Sequence, residues 1–582
     1  MSRFHCEDSR RLTGANLYSS MPGAVLDLVI KNEADRGEEP DVSLDTIIDT
    51  WKKHVHALLE AVSWHSEKIF HRQYASGVSL GFTAAIDCLY SAVDLNEAAL
   101  LLASKELKLA PIHGVELEIE VDFDALLKHL KKMIEDETNA SLIALQTAAA
   151  SHHEIFLFDD DIVSLGMGTG CHQWPVDKIP GPEQVAWNEI FSIPLALVTG
   201  TNGKSTSVRL ASSIAQCAGF NTGLTSTDYI KVGNTIIDSG DYSGPGGART
   251  LLRDEQVEIA FLEVARGGLL RRGLGVPEAD AVLITNVAAD HLGDYGINTV
   301  TDLIEAKFIV RQALTKLKPL VLNADDKGIV EYTQGLEQKI IWFTEDKDNK
   351  VLLKHINESG EAVTIEEQQV IHIKDKQRTT VVKITDVPIT LNGIARHNVQ
   401  NTLGVVALSC ALGIDYPYIK QGLLNFKGGT EENPGRGNFF EANGIKILID
   451  FAHNEHGMTA LAATAANIQS TRRLILFGQA GDRSDEAIAD LVKAAMKTNP
   501  DYMIVCETPG YERGREVNET SDIIVRAITG TEFSEKNIRR ASDPVEGVNK
   551  ALEWARPGDF LLLFVLTNRD EVIEIVKNFI SH

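Results

Sequence analysis

At 582 residues the chain is too long for one domain and accommodates about three to four. Its 44% hydrophobic and 24% charged residues give the balance of a soluble globular protein with real cores. A formal net charge of −26 excludes a general nucleic-acid or anionic-membrane surface, since both need clustered positive charge, but leaves room for an anionic substrate held by a few cations in a cleft.

The N-terminus, MSRFHCEDSRRLTG, lacks the apolar core of a signal peptide. No apolar stretch approaches the roughly 20 residues that a membrane span needs. Six scattered cysteines without a CxxC pair read as mostly buried thiols of a reducing compartment, so the expectation is a cytoplasmic protein. In residues 1–186, helical periodicity over Leu44 to Val62 and Phe123 to Met133, with a strand-like alternation over Val115 to Val121, predicts a small α+β domain. Its end, Ile155 to Gly170, reads as strand, acidic turn, strand and a Gly-rich turn (LGMGTG), followed by a linker marked by Pro175, Pro180 and Pro182.

Residues 187–427 alternate β-rich runs (PLALVTG, IAFLEVA, AVLITNV, KPLVLNA) with amphipathic helices, the pattern of a buried parallel sheet. Ile341 to Pro388 is charged and hairpin-like and reads as a peripheral β excursion. Residues 428–582 repeat the alternation (IKILIDFA, RRLILFG, DYMIVCE, DFLLLFVL), predicting a second, Rossmann-like doubly wound domain.

The strongest chemical signal is Gly200-Thr201-Asn202-Gly203-Lys204-Ser205-Thr206, between the strand PLALV and the helix SVRLASSIAQ. A glycine-rich turn lets backbone N–H groups wrap phosphate oxygens, and the helix N-terminus adds positive partial charge. Lys204 can reach terminal phosphates, and a hydroxyl of Ser205 or Thr206 can hold Mg²⁺. The spacing between its glycines is shorter than in the usual Walker P-loop.

TGTNGKST resembles the phosphate loop of the Mur ligases, and the motifs that follow keep that family's order. They are FLEVARGG with Glu263, TNVAADHL with His291, LNADD, GIARHNVQN with His397, Asn398 and Asn401, GRGNFF with Arg436, and LIDFAHN with Asp450 and His453. ARGGLLRRGLG, TDYIKVG, GPGGAR and the N-terminal RLTGANLYS are most similar to the cyanophycin synthetase branch. That branch carries an ATP-grasp domain before its Mur-like half, whereas here only about thirty residues separate Gly170 from Thr201.

The resemblance implies a Mur-ligase-like P-loop central domain and a Rossmann-like C-terminal domain. It implies an ATP-dependent ligase that joins a carboxylate to an amine or amino acid through an acyl phosphate. Lys204 would bind the β- and γ-phosphates, Ser205 and Glu263 a first Mg²⁺, and His291 a second. Lys307 matches a lysine that many members carry as a carbamate, the alternative being a surface lysine on a helix. Asn398 and Asn401 would face the adenine with support from His397, the alternative being helix caps. Arg436 and His453 would reach the phosphates and Asp450 the ribose. A glutamate, Glu455, follows AHN where the family pattern has proline. The acceptor would be an aspartyl- or glutamyl-type carboxylate of a small molecule or peptide, and the relatives form homo-oligomers.

Arg483 and Asp485 in GDRSDE are candidates for the amine substrate, with solvated turn charges as the alternative. Arg271 and Arg272 are candidates for an anionic substrate, with a salt bridge as the alternative. The histidines His54, His56, His65, His71, His152 and His153 lack ligand-spaced partners and read as non-metal. Two further readings stand beside the ligase: a folylpolyglutamate-synthase-like activity, and a non-catalytic ATP-binding peptide- or polymer-binding protein.

Overall fold

The computed structural model describes residues 3–30, 40 and 42–581. The N-terminal part is built on an antiparallel sheet ordered Phe4–Leu12, Gly23–Ile30, Gly77–Thr83 and Ile69–Tyr74. The helices Leu44–Ala61, Leu89–Glu106 and Phe123–Glu137 close its apolar core. Ser43 caps the first helix by accepting from the Thr46 amide, a contribution of about 1 kcal/mol. Fully buried Trp51 donates its indole N–H to Asn96 Oδ1 at 3.0 Å, and Asn96 passes the bond on to the Leu80 carbonyl at 2.9 Å.

Val115 to Val121 does not become a strand. Its alternation survives as burial, with Val115, Leu117, Ile119 and Val121 packed on the core and Glu116, Glu118 and Glu120 exposed. The amides of Glu116 and Leu117 are taken by the buried Glu97 carboxylate at 3.0 and 2.9 Å, so a side chain replaces the neighbouring strand. The hairpin expected after Ile155 is present as Phe156–Phe158 and Ile162–Leu165, with His172–Pro175 added. LGMGTG is a packing turn: a Cβ on Gly168 would lie 2.2 Å from the Val257 carbonyl.

The central sheet has eleven strands. Thr222–Thr225, Ile259–Glu263, Leu195–Thr199, Ala281–Ile284, Leu320–Asn323, Ile340–Phe343 and Glu361–Glu366 run parallel in that spatial order, with antiparallel pairs at both edges. The segment read as a peripheral excursion therefore continues the main sheet. Ile340–Phe343 and Glu361–Glu366 flank the helix Lys350–Asn357, and Gln369–Lys374 with Gln377–Lys383 form the edge. Most of its charges occupy outward positions, Glu361 being a buried exception, while Val363, Val370 and Val382 enter the core.

The C-terminal sheet is ordered Asn438–Ala442, Ile445–Asp450, Asp559–Phe564, Arg472–Phe477, Tyr502–Cys506 and Ile538–Ala541, parallel except for its first strand. This is the α/β doubly wound architecture expected there.

The N-terminal sheet docks on the central one through Arg10 to the Leu270 carbonyl (2.9 Å), the Thr13 amide to the Arg272 carbonyl (2.7 Å) and Arg72 to the Gly296 carbonyl (2.9 Å). The C-terminal sheet docks through Arg569, which shares the Asp228 carboxylate with Arg209. Among the described residues no helix is long and apolar enough to cross a membrane.

Candidate active site

The turn from Leu195–Thr199 into the helix Lys204–Cys217 is shaped by its glycines. Gly203 has φ +86°, and a Cβ there would meet Asn401 Oδ1 at 2.2 Å; at Gly200 it would meet Thr285 Oγ1 at 1.9 Å. The TNV segment pins the loop from below. The Thr201 amide donates to the Asn286 carbonyl (2.8 Å), the Asn202 amide to Asn286 Oδ1 (3.0 Å), and Thr285 Oγ1 to the Asn202 carbonyl (2.6 Å). The helix N-terminus and Lys204, whose Nζ donates to the Thr201 carbonyl at 3.0 Å, give the loop its positive face.

Ser205 Oγ lies 3.2 Å from Thr227 Oγ1, and the Thr227 amide donates to Glu263 Oε2 at 3.2 Å. Glu263, only 2% exposed, ends its strand with Oε1 buried and unpartnered. A buried anionic oxygen beside two hydroxyls is the donor set a hard cation such as Mg²⁺ takes, so these residues fit such an ion.

Lys307 closes the helix Val300–Lys307, is buried, and donates from Nζ to the Gly200 carbonyl at 2.7 Å. Burial, followed by the nearby Lys204 charge, holds its ammonium well below the ordinary lysine value. The surface-lysine alternative does not hold.

Residues Asp290, His291 and His453 offer ligand atoms within 4.8 Å of one another. Burial pushes His291 down to about 4. Burial works against the Asp290 carboxylate, but the proximity of His453, His291 and Arg483 outweighs it and holds the group far below the usual range. The backbone at His291 is left-handed, with φ 49°, and Arg266 steadies this loop through the His291 carbonyl and Asp294 (2.8 Å).

A cleft of about 370 Å³ runs from this region between the central and C-terminal units, within the range of small-molecule sites. Thr201 to Thr206, Glu263, His397, Asn398, Asn401, Arg436, Asp450 and His453 all line it. Gly200, His291 and Lys307 stand behind or beside its wall. Asn398 and Asn401 lie inside the helix Arg396–Ala411, whose N-cap is Ala395, so neither caps it. Asn401 Nδ2 donates to Asn398 Oδ1 at 3.1 Å and Asn398 Nδ2 to the Ile389 carbonyl at 2.9 Å, which fixes both amides.

His397 keeps a buried, unpartnered Nδ1, and burial together with His456 pushes the ring down to about 4. From the C-terminal unit, Arg436 reaches Thr227 Oγ1 (3.1 Å), while Asp450 accepts the Ala452 amide (2.8 Å) and is pushed up to about 6 by burial.

Comparison with known proteins follows the same division. The model of the Mur ligase middle domain matches residues 198–409, and that of the Mur ligase glutamate ligase domain matches 435–564, together more than half of the chain. The chain belongs to the Mur ligase family.

Cyanophycin synthetase of Nostoc sp. is 33% identical over 385 residues, 66% of this chain but 42% of that protein, so the chain spans less than half the length of this relative. The UDP-N-acetylmuramoyl-L-alanyl-D-glutamate–2,6-diaminopimelate ligase of Bacillus velezensis is 24% identical over 379 residues, 63% of this chain and 71% of that one. E. coli FolC, in complex with ADP and without folate substrate, shares the Mur ligase fold with a TM-score of 0.50 at 17% identity, over 67% of this chain and 90% of that one.

The remaining candidates have the following neighbours. Asp485 pairs with Arg515 at 2.7 Å within the C-terminal unit, and Arg483 meets the central unit at Asp290 and His291. Arg271 and Arg272 are exposed and carry no ion pair among the described residues. His54 pairs with Glu106, His65 with Glu60, and His152 stacks on Trp187. Sequence reasoning missed Thr227, Asp290, Arg266 and the pairing of Glu345 with Arg396 at the cleft's far end. Of these, Asp290 carried a signal, standing directly before His291.

Proposed function

We propose that this Mur ligase family member is an ATP-dependent carboxylate–amine ligase. The observation that carries the reading is the single cleft in which a phosphate loop, an orphaned buried carboxylate and three side chains of a second unit (Arg436, Asp450 and His453) converge. The loop amides and Lys204 hold the β- and γ-phosphates, with Arg436 and His453 across from them. Asp450 meets the ribose, and His397, Asn398 and Asn401 the adenine. A Mg²⁺ ion held by Ser205 and Glu263 supplies charge neutralisation when bound.

A carboxylate oxygen of the acceptor attacks the γ-phosphorus and ADP leaves, giving an acyl phosphate. The amine nitrogen then attacks the acyl carbon, phosphate leaves, and the nitrogen loses its proton. Catalysis is positioning and charge stabilisation, with no covalent protein nucleophile. Buried and held toward its neutral amine, Lys307 is poised to take up CO₂ as a carbamate, which replaces a cation by an anionic ligand near the loop. Likeness to cyanophycin synthetase favours an aspartyl- or glutamyl-type carboxylate and a basic amino acid. We assign residues 1–186 as the acceptor-side domain, 187–427 as the ATP domain and 428–582 as the closing domain, in a homo-oligomeric cytoplasmic enzyme.

The test is phosphate release from Mg²⁺-ATP with amino acids and short acidic peptides screened as pairs, wild type beside Lys204→Ala. A pair that triggers release in the wild type alone, with a product of the condensed mass, is the expected result. Nucleotide binding without release by any pair would favour the non-catalytic reading.

A further inference from the structure

Arg483 stands between the strand Arg472–Phe477 and the helix Asp485–Met496, yet its guanidinium serves the central unit. Its Nη2 donates to His291 Nε2 at 2.9 Å and lies 3.1 Å from Asp290 Oδ1, and the side chain is 9% exposed. The backbone behind it is braced, with Arg515 donating to the Arg483 carbonyl at 2.6 Å and to the Gly481 carbonyl at 2.9 Å. Neighbouring Asp482 pairs with Arg513 and lies 4.0 Å from His291 Nδ1.

Asp290 and His291 belong to the one group of three metal-competent side chains found among the described residues. A ring nitrogen that accepts a hydrogen bond has no lone pair left for a metal. The place where these donors converge is therefore filled by a cation of the chain itself.

We propose that Arg483 takes the place of the second divalent ion, so that the loaded site carries one metal, at Ser205 and Glu263, and one guanidinium. The assignment rests on the ATP-dependent reading above. A guanidinium presents paired donors that match carboxylate and phosphoryl oxygens alike. Asp290 holds it in readiness, and a transferring phosphoryl group offers the same kind of partner with more charge. Because Arg483 comes from the C-terminal unit, this cation reaches the site only where the two units meet. Charge neutralisation is thereby tied to closure, which a freely diffusing ion would not achieve.

The test counts bound Mn²⁺ by electron paramagnetic resonance in the full chain with a non-hydrolysable ATP analogue. Wild type is compared with Arg483→Ala, Arg483→Gln and Arg483→Ala/His291→Ala, each first checked by its thermal melt. One ion per chain is expected in the wild type, a second in either single variant, and one again in the double variant. Two ions of similar affinity in the wild type, or a single ion in both folded single variants, would overturn the assignment to Arg483 while leaving the ATP reading intact. No nucleotide-dependent Mn²⁺ in the wild type would overturn both.

Discussion

Lys307 Nζ donates to the carbonyl of Gly200 at 2.7 Å, joining the end of one helix to the first residue of the phosphate loop. A lysine this buried is costly as a bare cation, and its presence beside Lys204 points to chemistry at the nitrogen. Replacing Lys307 with Met keeps the volume and removes that chemistry. We expect kcat to fall about 100-fold, the scale of losing one electrostatic contributor, with nucleotide affinity nearly unchanged. Carbon-13 NMR of wild type in labelled bicarbonate should show a carbamate signal that the variant lacks; an unlabelled wild type would sink the carbamate.

Gly203 tests the loop itself. Its φ of +86° and the 2.2 Å approach of Asn401 Oδ1 leave no room for a methyl group. Gly203→Ala should cost about 1–3 kcal/mol of strain and abolish nucleotide binding by calorimetry. A variant that binds normally would show that the loop rearranges on binding.

The Asp228 carboxylate gathers Arg209 from the phosphate-loop helix and Arg569 from the last helix, with Arg436 at 3.9 Å. Burial works against its charge, but Arg436, Arg209 and Arg569 together hold it below the usual carboxylate range. Asp228→Asn leaves the buried Arg209 guanidinium without its carboxylate, with an expected loss of about 3 kcal/mol in urea unfolding. Small-angle scattering should show the C-terminal unit opening away from the central one.

Glu345 gives the pH dependence. Burial pushes its carboxyl from 4.5 up to about 7, although Arg396 pulls the other way. A carboxyl raised on folding contributes stability that is full below the unfolded value and lost as pH rises through the folded one. The wild type should therefore lose stability between about pH 4.5 and 7 through this residue. Glu345→Gln removes that slope, and Arg396, largely exposed, costs little when left alone. The variant's melting temperature relative to wild type should rise from pH 5 to pH 8; a constant difference would exclude the effect.

Much of this site was legible in the chain because its strands are continuous apolar runs ending in chemistry. Leu195–Thr199, Ile259–Glu263 and Ile445–Asp450 each carry a motif at the carboxyl end, where a parallel sheet puts its ligands. The helix Leu89–Glu106 escaped notice because it is buried on almost every side, including Asn96 and Glu97, and so shows no amphipathic period. Arg483 was readable as functional but not as a partner of His291, because that pairing joins loops 192 residues apart and obeys no local spacing. Thr227 and Arg266 act through Glu263 and His291, and their types alone do not single them out.

Asn202 and Asn454 exchange side-chain amide bonds at 3.2 and 3.3 Å across the cleft, with His456 beside them at 3.0 Å. This part of the seam is made of neutral hydrogen bonds, each worth only about 1 kcal/mol net because water offers the same partners when the halves part. Nothing greasy has to be peeled away here. Such a joint does not clamp shut on its own. Holding the two units together is left to the charged cluster at Asp228, so this rim of the cleft can part without a large barrier of its own.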